Sequence, residues 1–144
     1  MQIRPFRAGD ENAIVALWRR CDLIRPWNDP SMDIRRKRAV TPELFLAGVI
    51  EGEIVASIMA GYEGHRGWLN YLAVAPERQR RGYGRAMVAE AERLLKDAGC
   101  PKINLLVRAT NRAAVDFYRK LGYTVDEVAC MGKRLEHDDA SPAV

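Results

Sequence analysis

The chain has 144 residues, 48% of them hydrophobic and 29% charged, with a net charge of +4. That length carries one domain with a real core and not two, and the composition is that of a globular chain, not a disordered one. No apolar run reaches membrane-spanning length and the N-terminus has no signal-like apolar stretch, so a cytoplasmic protein without a membrane partner is expected.

Ile3 to Phe6 reads as a first strand. Asp10 offers a helix N-cap, and Ile14, Leu17, Trp18 and Cys21 recur at helical spacing, which makes Cys21 a core residue. That helix stops near Asp22. Residues 24–30 hold Pro26 and Pro30 and read as a loop, and a short polar helix follows from Ser31 to Arg38. Leu44 to Ile50 and Glu53 to Tyr62 are strand-like and joined by the tight turn 51–53. The loop 63–67 leads to a strand from Trp68 to Val74. Gly84 to Ala98 reads as an amphipathic helix closed by Gly99. Ile103 to Val107 has the character of a buried strand, and Asn111 to Leu121 is a helix closed by Gly122. Tyr123 to Val128 and Met131 to Leu135 predict a final strand pair, and the polar tail from Glu136 is expected to fray. Hairpins alternate with strand–helix–strand units, so the fold class is mixed α/β, helices packed on a central sheet.

Cys21, Cys100 and Cys130 form no CxxC pair, and their odd number speaks against a disulfide framework. His65 and His137 lie far apart in sequence, so no metal is expected. Much of the positive charge sits in Arg35-Arg36-Lys37-Arg38 and between Arg78 and Arg85. Neither cluster has the interleaved aromatics expected of a nucleic-acid stacking platform, Tyr83 alone falling in the second, so a nucleic-acid partner is not expected, and the first cluster reads as a solvated helix face.

Val74-Ala75-Pro76-Glu77-Arg78-Gln79-Arg80-Arg81-Gly82-Tyr83-Gly84 runs from a strand end through a basic, glycine-punctuated turn into a helix. Such a turn suits a phosphate: glycines clear side chains from the backbone, the helix start presents unpaired N–H groups, and arginines attract a polyanion. A dinucleotide fingerprint would need a glycine where Met87 stands, and a P-loop would need Gly-Lys-Ser/Thr, which is absent. In the segment that follows, Asn111 and Tyr118 are seven residues apart and share a helix face. Asn111 also suits an N-cap, and Tyr118 also suits a core aromatic.

Gln79, Gly82 and Gly84 fill the Arg/Gln-x-x-Gly-x-Gly/Ala loop of the GCN5-related N-acetyltransferase (GNAT) family. Asn111, Ala114, Tyr118, Gly122 and Tyr123 fill a second pattern of that family, in the right order and at the right distance. Residues 21–23, 25–30, 64–67 and 132–135 further resemble small bacterial acetyltransferases of the YpeA type. The resemblance spans residues 1–135, read as one acetyltransferase domain with a polar tail at 136–144. It implies a mixed, mostly antiparallel sheet splayed between strands 4 and 5 and flanked by about four helices. It also implies acetyl-CoA as cosubstrate and an amine acceptor, a protein amine or a small amine, with a homodimer left open. The cofactor site would comprise Leu72, Ala73, Val74, Gln79, Arg80, Arg81, Gly82, Tyr83, Gly84, Arg85 and Asn111. Tyr118 would be the catalytic acid that protonates the leaving thiolate. A backbone N–H near Leu72 to Val74 would meet the oxyanion. Arg25, Trp27, Asn28 and Asp29 would wall the acceptor pocket. The strand 68–74 lacks the carboxylate that many members use as base. Asp29, Asp33, Glu63 or an ordered water are the alternatives, and no acid is assigned. A competing reading is an acyl-CoA-binding regulatory module without turnover.

Overall fold

The structure is a computed structural model describing residues 1–138. Five strands, β1 (Gln2–Pro5), β2 (Phe45–Ile50), β3 (Glu53–Tyr62), β4 (Gly67–Val74) and β5 (Ile103–Leu105), form one sheet in chain order. The first four pair antiparallel, and β5 joins β4 in parallel. The β2–β3 turn is tight because Glu51 and Gly52 both hold positive φ, 50° and 81°, as a two-residue hairpin turn of matching twist requires.

Four helices flank the sheet: α1 (Glu11–Arg20), α2 (Pro30–Arg38), α3 (Tyr83–Asp97) and α4 (Arg112–Lys120). Ser57 and Ala56 are neighbours on β3 and so face opposite sides. Ser57 is hydrogen-bonded by Trp18 of α1, whereas the face of Ala56 lies beside Met87 of α3. The core is thus two-sided, with Ile14, Leu17 and Trp18 under one face and Met87, Val88, Ala91 and Leu95 under the other.

Four local expectations are corrected. Asp10 precedes α1, but its carboxylate is not spent on that helix. It accepts from the Arg4 guanidinium at 2.7 and 3.0 Å and from the Arg7 N–H at 2.8 Å. The basic face of α2 is only half solvated: Arg35 and Arg38 are exposed, but Lys37 is buried and donates to the Ala60 carbonyl at 2.6 Å and to Thr41 Oγ1 at 3.0 Å. Burial lowers the Lys37 pKa.

The final strand pair does not form. Residues 123–135 are irregular, and Val125, Val128, Met131 and Leu135 are exposed. Strand propensity needs a ladder to join, and β5, three residues long, is too short a template. Side chains anchor this segment instead: Asp126 accepts from Lys102 and from Asn104, each at 3.0 Å. Nor does the tail fray at once. Asp138 accepts from Arg36 at 2.6 Å and from the Asp29 N–H at 3.2 Å, and Glu136 accepts from Arg36 at 3.2 Å.

Candidate active site

The parallel β4–β5 ladder covers only Gly67 to Leu69 opposite Ile103 to Leu105. Beyond Leu69 the strands part. A cleft of about 1300 Å³ opens there, lined by Leu72 and Val74 on one side and Leu106 and Val107 on the other. The predicted strand 103–107 ends at Leu105 for this reason. Past the splay, β4 has no strand neighbour on this side among the described residues, so backbone groups there are left for another partner.

Within the open stretch β4 bulges. The β3–β4 register passes from Met59 opposite Asn70 to Ser57 opposite Ala73, which sets Tyr71 and Leu72 against the single residue Ile58. Tyr71 has φ 51°. For an aromatic side chain that conformation is an outlier, costing about 1–3 kcal/mol. Its surroundings fix it on every side. The ring stacks on Trp18 with centroids 3.7 Å apart, and the hydroxyl donates to Asp33 Oδ2 at 2.6 Å. The carbonyl accepts from Ser57 Oγ at 2.8 Å, and Ser57 Oγ accepts from Trp18 Nε1 at 2.9 Å. Burial, then the Asp33 carboxylate, pushes the Tyr71 phenol up.

At the far end of β4 the chain enters the basic turn. Arg80 and Gly82 both hold positive φ, 62° and 85°. Gly82 is the N-cap of α3, and no acidic side chain occupies that helix's first turn. Backbone N–H groups, the helix dipole and the side chains of Arg80 and Arg85 thus meet where the turn borders the cleft. Gln79 braces the turn by donating to the Val74 carbonyl at 3.0 Å. Gly84 has a packing role: a Cβ there would sit 3.4 Å from the Phe117 ring and 3.6 Å from Val74.

Tyr118 and Asn111 line the opposite wall. Asn111 is the N-cap of α4, its side chain accepting from the Ala114 N–H at 3.1 Å. Tyr118 packs edge-on against Phe117 and Tyr123. Burial alone pushes its phenol up to about 12, so at neutral pH it holds its proton.

Of the expected site residues, Leu72, Val74, Gln79, Arg80, Gly82, Gly84, Arg85, Asn111, Tyr118, Arg25 and Asn28 line the cleft, whereas Ala73, Arg81, Tyr83, Trp27 and Asp29 do not. Asp29 caps α2 by accepting from the Ser31 N–H at 2.9 Å. Trp27 is half exposed, with the Arg108 guanidinium 5.7 Å from its ring centre, so the α1–α2 and β5–α4 loops meet across the mouth. Among the three acids considered as base, Glu63 turns back onto the His65 and Arg66 N–H groups of its own loop, and only Asp33 lines the cleft. Cys21 is half-buried against the core, as expected, and it also lines the cleft, its thiol donating to the Val74 carbonyl at 3.2 Å. Burial raises the pKa of that thiol, which keeps it protonated and a weak nucleophile.

Sequence reasoning missed Tyr71, Ser57, Trp18 and Arg108. Trp18 was legible only as core, and nothing in the sequence marks an aromatic that will adopt positive φ.

Comparison with known proteins agrees with this geometry. The sequence profile of the "Acetyltransferase (GNAT) family" matches residues 12–123. An acetyltransferase of Sodalis glossinidius (strain morsitans) is 50% identical over 139 residues, covering 96% of this chain and 98% of that protein. Among solved structures, Chaetomium thermophilum Naa20 in complex with a bisubstrate analogue aligns with a TM-score of 0.70 at 27% identity, covering 87% of this chain and 72% of that one. The PaiA N-acetyltransferase of Thermoplasma acidophilum, in complex with coenzyme A, shares the fold at 18% identity with a TM-score of 0.70, covering 89% of this chain and 92% of that one. A splayed sheet with a basic turn at the mouth of its cleft, and a profile match across most of the chain, identify one family: the protein is an N-acetyltransferase of the GNAT family.

Proposed function

We propose that the enzyme uses acetyl-CoA and transfers the acetyl group directly to a primary amine within a ternary complex. The observation that carries this reading is the cleft itself, which runs from the unpaired backbone of β4 to the basic turn at the start of α3. The fit is chemical. Pantetheine carries amides, and β4 beyond Leu69 has backbone groups without a strand to meet them. A pyrophosphate needs donors and positive charge, and the turn supplies N–H groups, a helix N-terminus, Arg80 and Arg85. Leu72, Val74, Gly82 and Asn111 are the further residues we assign to this cosubstrate.

Bound acetyl-CoA supplies a thioester carbonyl open to attack. The chain's own residues do the rest. The Leu72 backbone N–H, in the bulge, polarises the carbonyl as negative charge develops on its oxygen. The Tyr118 hydroxyl gives its proton to the departing sulfur, a task suited to a phenol still protonated at neutral pH. The acceptor enters from the end bounded by Arg25, Asn28 and Asp33 and must arrive as a neutral amine. The Naa20 neighbour, crystallised with a bisubstrate analogue, supports the one-complex scheme. So does the state of Cys21, whose raised pKa argues against an acyl-cysteine route.

A panel of amines tests the proposal: peptides with free N-termini, a lysyl peptide, spermidine and free amino acids, each assayed with acetyl-CoA for thiol release and product mass. Thiol release matched by an acetylated amine is expected. Tight acetyl-CoA binding with no turnover on any amine would instead favour a non-catalytic acyl-CoA-binding module. Intact-mass measurement after incubation with acetyl-CoA alone should show the unmodified chain, and a cysteine adduct that chases to product would overturn direct transfer.

A further inference from the structure

We propose that Trp18 and Ser57 are positioning residues: together they lock Tyr71 in its left-handed conformation and so aim the Leu72 N–H at the acyl oxygen. The inference rests on the acetyl-transfer reading and adds to it two side chains that the cosubstrate never touches.

The fate of one carbonyl sets the geometry. In a regular strand the Tyr71 carbonyl would turn toward β5, as the backbone of Gly67 does in donating to the Lys102 carbonyl. Here the bulge takes it out of register, and a side chain, Ser57 Oγ, donates to it at 2.8 Å. A hydroxyl has one hydrogen to give, and its direction is set by what it accepts. Ser57 Oγ accepts from the Trp18 indole at 2.9 Å, so its hydrogen is left for the Tyr71 carbonyl. Trp18 and Ser57 are both fully buried, so water does not compete for either bond.

The same indole holds the other end of Tyr71, stacking on its ring at 3.7 Å. One tryptophan thus fixes both the side chain and, through Ser57, the main chain of the strained residue. Peptide planarity carries that constraint forward: the Tyr71 carbonyl and the Leu72 N–H belong to one rigid amide. Holding the carbonyl against Ser57 therefore sets the direction of the Leu72 N–H. A packing role alone has no need of this peptide's orientation, whereas carbonyl polarisation depends on it.

The test uses acetyl-CoA labelled with carbon-13 at the acyl carbonyl and reads its infrared stretch when bound, beside affinity by calorimetry and turnover on the best amine of the panel. In the parent the stretch should fall relative to free acetyl-CoA. In Ser57→Ala the shift should shrink, and kcat should fall by about tenfold to a hundredfold, the scale of a slightly misplaced group, with acetyl-CoA affinity nearly unchanged. Trp18→Phe keeps one ring to stack and removes the N–H together with part of the indole, so it should show the same pattern. It carries the test if Ser57→Ala does not fold. A bound carbonyl with the parent's shift and parent-like kcat in both variants, or in Trp18→Phe alone where Ser57→Ala is unfolded, overturns the proposal even if melting temperature drops. Failure of the parent to bind acetyl-CoA sinks the underlying reading and this one with it. Binding by the parent without a carbonyl shift sinks only the lock.

Discussion

Tyr118 and Asp10 illustrate two uses of a single polar group. Tyr118 sits in the cleft wall, and burial alone keeps its phenol protonated. Tyr118→Phe removes the hydroxyl and leaves the ring to pack on Phe117 and Tyr123. Turnover should fall by about 10²–10⁴-fold, the usual weight of a general acid, with acetyl-CoA affinity and melting temperature nearly unchanged. Full turnover, with chemistry shown to be rate-limiting, would exclude it as the acid. Asp10 acts in the fold. Hydrogen bonds from Arg4, and then from the Arg7 N–H, hold its carboxyl below the usual value of 3.8. A depressed carboxyl stabilises the folded state at pH values above its ordinary range, and that contribution is lost as pH falls through the folded-state value. Asp10→Asn should therefore cost about 2 kcal/mol near pH 7, the scale of hydrogen bonds to a charged group, and progressively less as pH falls below 3.8. Thermal unfolding of both proteins across that range checks the sign: a gap that widens on acidification would refute it. Asn111, Tyr118 and Gly82 were visible in the sequence because each occupies a fixed place in a short local motif. Tyr71 was not, because its conformation is imposed by Trp18, Ser57 and Asp33, residues that are remote in the chain.

At the scale of elements, the turn between β4 and α3 bounds the proposed cosubstrate site, and its two glycines have different surroundings. Gly82 holds φ 85°, where any side chain is strained, whereas a Cβ at Gly84 meets Phe117 at an ordinary contact distance of 3.4 Å. Gly82→Val should weaken acetyl-CoA binding by at least about tenfold through the refolded turn, while Gly84→Ala should bind like the parent. Calorimetry on both separates a conformational requirement from a packing one, and equal affinities would remove the turn from the site. The elements legible in the sequence were those with local signals. β3 came out at Glu53–Tyr62 as read, and the four helices within a residue or two at most ends. The terminal strand pair was misread because apolar, β-prone residues signal willingness to pair and say nothing about whether an edge of sufficient length exists. The shortness of β5 has the same origin: Val107 is as strand-prone as Ile103, but β4 has already turned away.

Over the whole molecule, β5 is tied to the sheet by a three-residue ladder, and α4 beyond it touches α3 where Phe117 meets Gly84. The sequence revealed the order of these parts but not the length of the ladder that joins them, which depends on how far two strands run together. Residues 103–120 should then behave as a leaf on a short hinge, and acetyl-CoA would supply the missing rungs between the leaf and the body. Amide hydrogen exchange makes that visible. Without acetyl-CoA, the amides of β5 and α4 should exchange well ahead of those in β2 and β3, through an opening that leaves the rest of the sheet intact. With acetyl-CoA at saturation the two rates should converge, because every local opening must then expel it. Slow exchange of the leaf in the free enzyme would mean that the cleft is a rigid slot. Fast exchange closed by acetyl-CoA would mean that the enzyme completes its own sheet with its substrate, and that each release of coenzyme A briefly returns it to a less finished fold.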